Sequence, residues 1–179
     1  MLVLITGGAA SGKSEFAEHA AVSLCAGGKL AYIATMRARD KEDAARVEKH
    51  RRARSGKGFT TIESPFAMPG AQALEGFDTA LVECASNLLA NVMFEQGVPA
   101  GEAVNRIPEE IAGLCRKVKN VVVVTNEVFG DGCPYGESVM EYISALGKIN
   151  RAIAKSADVV IESVCGIAVF LKGKGLVEL

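Results

Sequence analysis

The sequence predicts an α/β protein: a three-layer sandwich with a mostly parallel sheet, helices on both faces and a C-terminal β-hairpin. Three observations point there. Short apolar runs rich in β-branched residues alternate with longer helix-like stretches, and that alternation calls for parallel strands joined by crossover helices. The first apolar run opens directly into a glycine-rich loop and then a helix. The last two runs are joined at Cys165-Gly166, a connection too short for a crossover and right for a hairpin.

Taken in order, Leu2 to Thr6 reads as a fully buried strand. Lys13 to about Ala26 reads as a helix closed by Gly27-Gly28, and Leu30 to Ala34 as a second strand. Lys41 to about Arg54 is charged, alanine-rich and helical in pattern, with Ser55-Gly56-Lys57-Gly58 ending it. Phe59 to Ile62 suits a strand, and Thr79 to Val82 is an apolar strand running into Glu83. Helices are expected over Asn87–Phe94 and Gly101–Lys117, then the most β-prone run, Val121–Val124, leading into Thr125-Asn126-Glu127. Gly130 to Gly136 is a loop, Ser138–Ser156 a helix, and Asp158–Val164 with Ala168–Lys172 form the hairpin.

The 179 residues suit one domain over 1–179, with no linker, repeat or composition shift. Hydrophobic residues make up 49%, charged residues 23%, and the net charge is −1. That balance argues against a nucleic-acid partner. No run approaches the length of a membrane span, and the N-terminal apolar run lacks the basic flank of a signal peptide, so a cytoplasmic location is expected. The five cysteines lack C-x-x-C spacing, and with two histidines a zinc cluster is not expected. They read as reduced thiols, most of them small core residues, with Cys133 in an exposed loop.

The strongest chemical signal is Gly7-Gly8-Ala9-Ala10-Ser11-Gly12-Lys13-Ser14, a full G-x-x-x-x-G-K-[ST] match between a strand and a helix. Glycines let backbone N–H groups turn inward around phosphate oxygens, and the helix N-terminus adds partial positive charge. Lys13 is placed to reach the β- and γ-phosphates, and the Ser14 hydroxyl to ligate Mg²⁺. The loop predicts binding of a nucleoside triphosphate and does not name the reaction. A carboxylate near the metal is expected at the carboxyl end of a strand. Glu83 and Glu127 both come after apolar strands, and Glu83 is the stronger candidate for the metal shell.

Glu42, Arg46 and His50 are spaced i, i+4, i+8 in a basic helical segment, hence on one face. By composition alone this is a solvated helix with a surface histidine. A neutral imidazole beside cations is also able to act as a nucleophile on phosphorus. His19 has a weaker case and reads as structural.

These motifs together resemble the adenosylcobinamide kinase / adenosylcobinamide-phosphate guanylyltransferase family, almost end to end. The resemblance rests on the phosphate loop with Ala17-Glu18 after it, on Tyr32-Ile33-Ala34-Thr35, and on Asp40-x-Glu42 leading to Arg46-Val47-x-x-His50-Arg51. It continues through Thr61-Ile62-Glu63, Leu81-Val82-Glu83-Cys84, Asn91, Val122 to Val128, Gly130–Pro134, Gly147-Lys148-x-Asn150 and Gly166-Ile167-Ala168. It implies a RecA-like P-loop fold and a homotrimer. It also implies ATP or GTP, with Mg²⁺, as the nucleotide, and adenosylcobinamide as the corrinoid substrate. One activity phosphorylates the aminopropanol hydroxyl; the other moves GMP from GTP, through a guanylyl-histidine, to the phosphate so formed. On that pattern His50 and Lys13 are catalytic, and Thr35, Arg46, Arg51, Glu63 and Glu83 join residues 7–14 around the nucleotide.

The chain departs from the family pattern where an arginine is usual in the phosphate loop (here Ala10), at Gly58-Phe59-Thr60-Thr61, and across Gly136 to Ser144. A lost arginine removes a bidentate fork for phosphate. Two other readings stay open: a small-molecule kinase with no covalent intermediate, and a nucleotide-binding regulatory module without turnover.

Overall fold

A computed structural model of the chain describes every residue except Asp131, and describes only the backbone of Glu42, Arg46, Lys49 and Ala53. Seven strands form one sheet: β1 (Leu2–Gly7), β2 (Leu30–Ala34), β3 (Phe59–Glu63), β4 (Thr79–Glu83), β5 (Asn120–Val124), β6 (Val159–Val164) and β7 (Ile167–Lys172). Their order is β3-β2-β4-β5-β1-β6-β7, parallel except for the antiparallel β6–β7 hairpin. Five α-helices accompany it among the described residues: α1 (Lys13–Cys25), α2 (Lys41–Ala53), α3 (Ala85–Ala90), α4 (Ala100–Leu114) and α5 (Glu137–Ser156).

The central strands are apolar on both faces because both faces are covered. On one face Val3, Ile5, Tyr32, Leu81 and Val122 pack with Ala17, Ala20 and Ala21 of α1. On the other, Leu4, Ile33, Val82 and Val123 meet α3, α4 and α5 through Leu88, Ile107, Ile111 and Ile149. Alternate residues of one strand thus serve two cores, as the period of two requires. The predicted three-layer sandwich with its C-terminal hairpin is what forms.

Every predicted strand and helix is present, with ends shifted by a few residues. The helix expected over Asn87–Phe94 differs in kind. It begins at Ala85 and, after Ala90, widens into a π-turn over Asn91–Glu95. Asn91, at its start, donates its side-chain amide to the carbonyls of Thr35 (2.8 Å) and Pro65 (2.9 Å).

The cysteines differ from expectation as well. None is disulfide-bonded, but only Cys25 and Cys84 are buried; Cys115 and Cys165 are exposed along with Cys133. Cys115 caps the end of α4 and Cys165 sits in the hairpin turn, positions where a small polar-tolerant side chain faces outward.

Helix α2 stands apart from the layers. None of its described residues joins either core. It is tied at its ends instead. Asp40 caps the N-terminus by accepting from the Asp43 amide at 2.8 Å. At the C-terminus Arg54 lies over the Tyr32 ring, 3.4 Å from its centroid, and Lys57 pairs with the buried Glu18 of α1 at 2.5 Å. The expected alignment of Glu42 and Arg46 with His50 concerns side chains outside the described residues.

Candidate active site

The phosphate loop leaves β1 at Gly7, crosses the carboxyl edge of the sheet and enters α1 at Lys13. Its path needs left-handed backbone at Ala10 (φ 55°) and Gly12 (φ 93°). At Gly7 the requirement is room: a Cβ there would meet the Ser11 hydroxyl at 2.6 Å and the Ser163 carbonyl at 2.7 Å. The hairpin braces the loop from the side. The Ser11 carbonyl accepts from the Ser163 hydroxyl at 2.6 Å and from the Gly166 amide at 3.1 Å. No local pattern marks Ser163 as a loop partner; the one signal nearby is the Gly166 turn that the family pattern shares.

Lys13 donates to the Gly8 carbonyl at 2.9 Å, so its ammonium rests over the loop. Its burial holds its pKa below the ordinary lysine value, partly offset by Cys84 and Glu83 nearby. Glu83 comes from the end of β4, and the Ser14 hydroxyl donates to its Oε1. The second oxygen, Oε2, is buried without a hydrogen-bond partner, as is the Ser11 hydroxyl. A buried carboxylate oxygen left unsatisfied beside a serine hydroxyl is a fit for a hard cation, which takes oxygen donors.

Glu83 is held in place by the backbone on its C-terminal side. The Thr35 hydroxyl donates to the Cys84 carbonyl at 2.9 Å and accepts from the Cys84 amide at 2.6 Å, while the Thr35 amide donates to the Glu83 carbonyl at 3.1 Å. Thr35 is fully buried, so its hydroxyl serves the backbone beside Glu83. Beyond it runs a second polar chain: Cys84 Sγ lies 2.9 Å from the Ser86 hydroxyl, which accepts from the Asn126 side chain at 2.8 Å. The Asn150 side chain in turn donates to the Asn126 carbonyl at 3.3 Å and accepts from Thr125 at 2.7 Å. These residues lock the exits of β4 and β5 to α5, and nothing in their local sequence assigns them that role.

The other expected residues are more dispersed. Glu63 ends β3 exposed, in register with Ala34 and through it with Glu83, two strand spacings or about 10 Å along the edge. Glu127 accepts from the Phe129 amide at 2.8 Å and so turns into its own loop, although its backbone amide donates to the Gly7 carbonyl at 3.0 Å. His50 is partly exposed on α2, Arg51 is exposed, and the Arg46 side chain lies outside the described residues. His19 is exposed on α1. Two surface clefts of about 600 Å³ are lined by Lys148, Arg151 and Lys155, and by Met68, Arg106 and Arg116; neither contains a residue of the phosphate loop.

Comparison with known proteins matches this arrangement to one family. The family model described as cobinamide kinase / cobinamide phosphate guanyltransferase matches residues 3–171. The bifunctional adenosylcobalamin biosynthesis protein CobP of Pseudomonas aeruginosa is 32% identical, over 97% of this chain and 98% of its own. The corresponding CobU protein of Escherichia coli is 29% identical over 96% of this chain and 100% of its own. Among solved structures, an ATPase domain superposes with a TM-score of 0.52 at 12% identity, covering 99% of this chain and 78% of that one, a likeness of fold. The sheet order, the phosphate loop with its Glu83 partner, and the match over residues 3–171 place the chain in the cobinamide kinase / cobinamide phosphate guanyltransferase family.

Proposed function

We propose that the chain carries out two transfers on one corrinoid. In the first, the aminopropanol hydroxyl of cobinamide attacks the γ-phosphorus of a nucleoside triphosphate. The O–P bond forms, the β–γ bridging bond breaks, the nucleoside diphosphate leaves with the electron pair, and the hydroxyl proton passes to solvent. In the second, an imidazole nitrogen of His50 attacks the α-phosphorus of GTP, forming a P–N bond as pyrophosphate leaves. A phosphate oxygen of cobinamide phosphate then attacks that phosphorus, the P–N bond breaks, and cobinamide-GDP results. The covalent intermediate divides one displacement into two.

The observation that carries this reading is the family match over residues 3–171, which takes in both the phosphate loop and the Arg46-Val47-x-x-His50-Arg51 segment. The site's own chemistry supports it. Backbone amides of residues 7–14 hold phosphate oxygens, and Lys13 neutralises the charge that builds on the bridging oxygen as it leaves. Ser14 and Glu83 would hold Mg²⁺, which supplies charge neutralisation at the phosphates when bound. Thr35 keeps Glu83 in place. Arg46, Arg51 and Glu63 join the nucleotide when α2, tied mainly at its ends, brings His50 to it. The trimer and a cytoplasmic location belong to the same proposal.

The test is the mass of the intact protein after incubation with GTP and Mg²⁺. The wild type should gain one GMP, lost again in acid, and His50→Ala should gain none. A wild type that binds GTP yet shows no adduct would sink the guanylyl-histidine and leave a kinase.

A further inference from the structure

Strand β5 lies between β1 and β4, so its exit stands between the phosphate loop and Glu83. The turn that follows, Thr125 to Glu127, is bonded to both neighbours. On the β1 side the Thr125 amide donates to the Ile5 carbonyl at 2.9 Å, and the Glu127 amide to the Gly7 carbonyl at 3.0 Å, where the phosphate loop begins. On the β4 side Val124 stands in register with Glu83, and beyond it the Asn126 side chain donates to the Ser86 hydroxyl at 2.8 Å. Ser86 is buried, and its hydroxyl lies 2.9 Å from the sulfur of Cys84, the residue after Glu83. This turn therefore joins the loop that carries Ser14 to the strand end that carries Glu83.

Helix α5 holds the junction at two points. Asn150 uses both ends of its amide on consecutive residues: Oδ1 accepts from the Thr125 hydroxyl at 2.7 Å, and Nδ2 donates to the Asn126 carbonyl at 3.3 Å. Two bonds from one planar group fix the direction of the turn as well as its distance. The Tyr142 hydroxyl donates to the Ser86 carbonyl at 3.2 Å. Burial pushes that hydroxyl up to about 12, so it stays a donor at neutral pH. Tyr142 and Asn150 each stand four residues from the fully buried Leu146, so both border the side of α5 that meets the core. A rigid helix sets them about 12 Å apart along its axis. One grips the exit of β4 and the other the exit of β5.

We propose that α5 is a strut and that Thr125, Asn150 and Tyr142 are positioning residues: they hold the exits of β4 and β5 at the separation that lets Ser14 and Glu83 share one divalent cation with a bound triphosphate. The proposal rests on the nucleotide site of the function proposed above, and on nothing about its corrinoid. Ser14 and Glu83 meet across β5, so the placing of the β5 exit bears on both. Mg²⁺ demands near-ideal octahedral geometry with oxygen donors at about 2.1 Å, so a small drift of Glu83 away from Ser14 weakens its hold. Apolar contacts through Leu146, Ile149 and Ile153 already pack α5 on the sheet. The hydrogen bonds of Asn150 and Tyr142 add what apolar contact lacks, a single fixed arrangement of the strand ends.

The experiment uses the full chain, comparing wild type with Asn150→Leu, Thr125→Val, Thr125→Ser and Tyr142→Phe. Calorimetry gives GTP affinity across a Mg²⁺ titration and again in EDTA, and a thermal melt gives stability. Asn150→Leu and Thr125→Val should raise the Mg²⁺ needed for half-maximal tightening of GTP binding by about tenfold, the worth of roughly one hydrogen bond. Their affinity in EDTA should stay within about twofold of wild type, because the phosphate loop itself is intact. Thr125→Ser, which keeps the hydroxyl, should restore the wild-type Mg²⁺ requirement. Tyr142→Phe should shift it in the same direction as Asn150→Leu, and carries the test if that variant does not fold. Variants with a lowered Tm and an unchanged Mg²⁺ requirement would make these bonds purely structural and overturn the strut. Affinity lost equally in EDTA and in Mg²⁺ would overturn it too, since the loop would then be what moved. A wild type that tightens on GTP with Mg²⁺ but transfers nothing to cobinamide sinks the proposed function and leaves the strut to be judged on binding alone.

Discussion

Lys13 takes its place over the phosphate loop at an energetic cost, because burial disfavours its charge. Its folded pKa lies below the unfolded value of 10.5. Below the folded pKa the buried charge therefore costs stability, and that cost fades as pH rises to the unfolded value. Triphosphate binding runs the other way, since polyphosphate needs the ammonium. GTP affinity measured against pH should stay level and then fall from a pH below 10.5, earlier than an ordinary lysine would give. In Lys13→Met that bend should disappear, along with most of the affinity. At Thr35 the hydroxyl both donates to and accepts from the Cys84 backbone inside the core. Thr35→Val should lower unfolding free energy in urea by about 1–3 kcal/mol and raise the Mg²⁺ needed for half-maximal turnover. Thr35→Ser, which keeps both bonds, should restore the Mg²⁺ dependence; an unchanged requirement in the valine variant would remove Thr35 from the support of Glu83.

Among the elements, α2 is the one whose environment contrasts most with its sequence role. Its fastening depends on Lys57 reaching Glu18, which is only 3% exposed. Removing the lysine leaves a buried carboxylate unpaired. Lys57→Ala should destabilise the fold by about 1–2 kcal/mol, less than a wholly buried pair would because the ammonium is itself partly solvated. Pairing it with Glu18→Gln should recover most of the loss, and a double-mutant cycle in urea measures the coupling. The same loosening should speed guanylyl-histidine formation if α2 must pivot, so single-turnover adduct kinetics read the helix's role separately from stability.

For the whole molecule, two cores share one sheet, and the central strands contribute to both. The chain should therefore unfold in one transition. GTP with Mg²⁺, binding only the folded state, should raise its stability by about 2.7 kcal/mol at a hundredfold excess over Kd. Lys13→Met should lose that gain without lowering the Tm of the ligand-free protein, since it removes a buried charge. A ligand-free Tm that drops sharply would mean that the lysine's bond to Gly8 is structural.

What the sequence by itself determined is the part written in local terms. Strand and helix periodicity specified the layers, because a side chain's face depends on its position along the chain. The phosphate loop was legible because its chemistry needs a fixed spacing within eight neighbouring residues, 7–14. Glu83 was legible as an acid ending an apolar strand, though its union with Ser14 spans 69 residues and only the sheet order brings them together. The tertiary structure decided what rests on distant segments meeting. The bonds of the Thr35 hydroxyl to the Cys84 backbone exist because β2 and β4 are neighbours. Asn91, at the start of the π-turn, ties two loops together through its side-chain amide. The brace from Ser163 and Gly166 onto Ser11 exists only because the fold closes chain separations that no local pattern records.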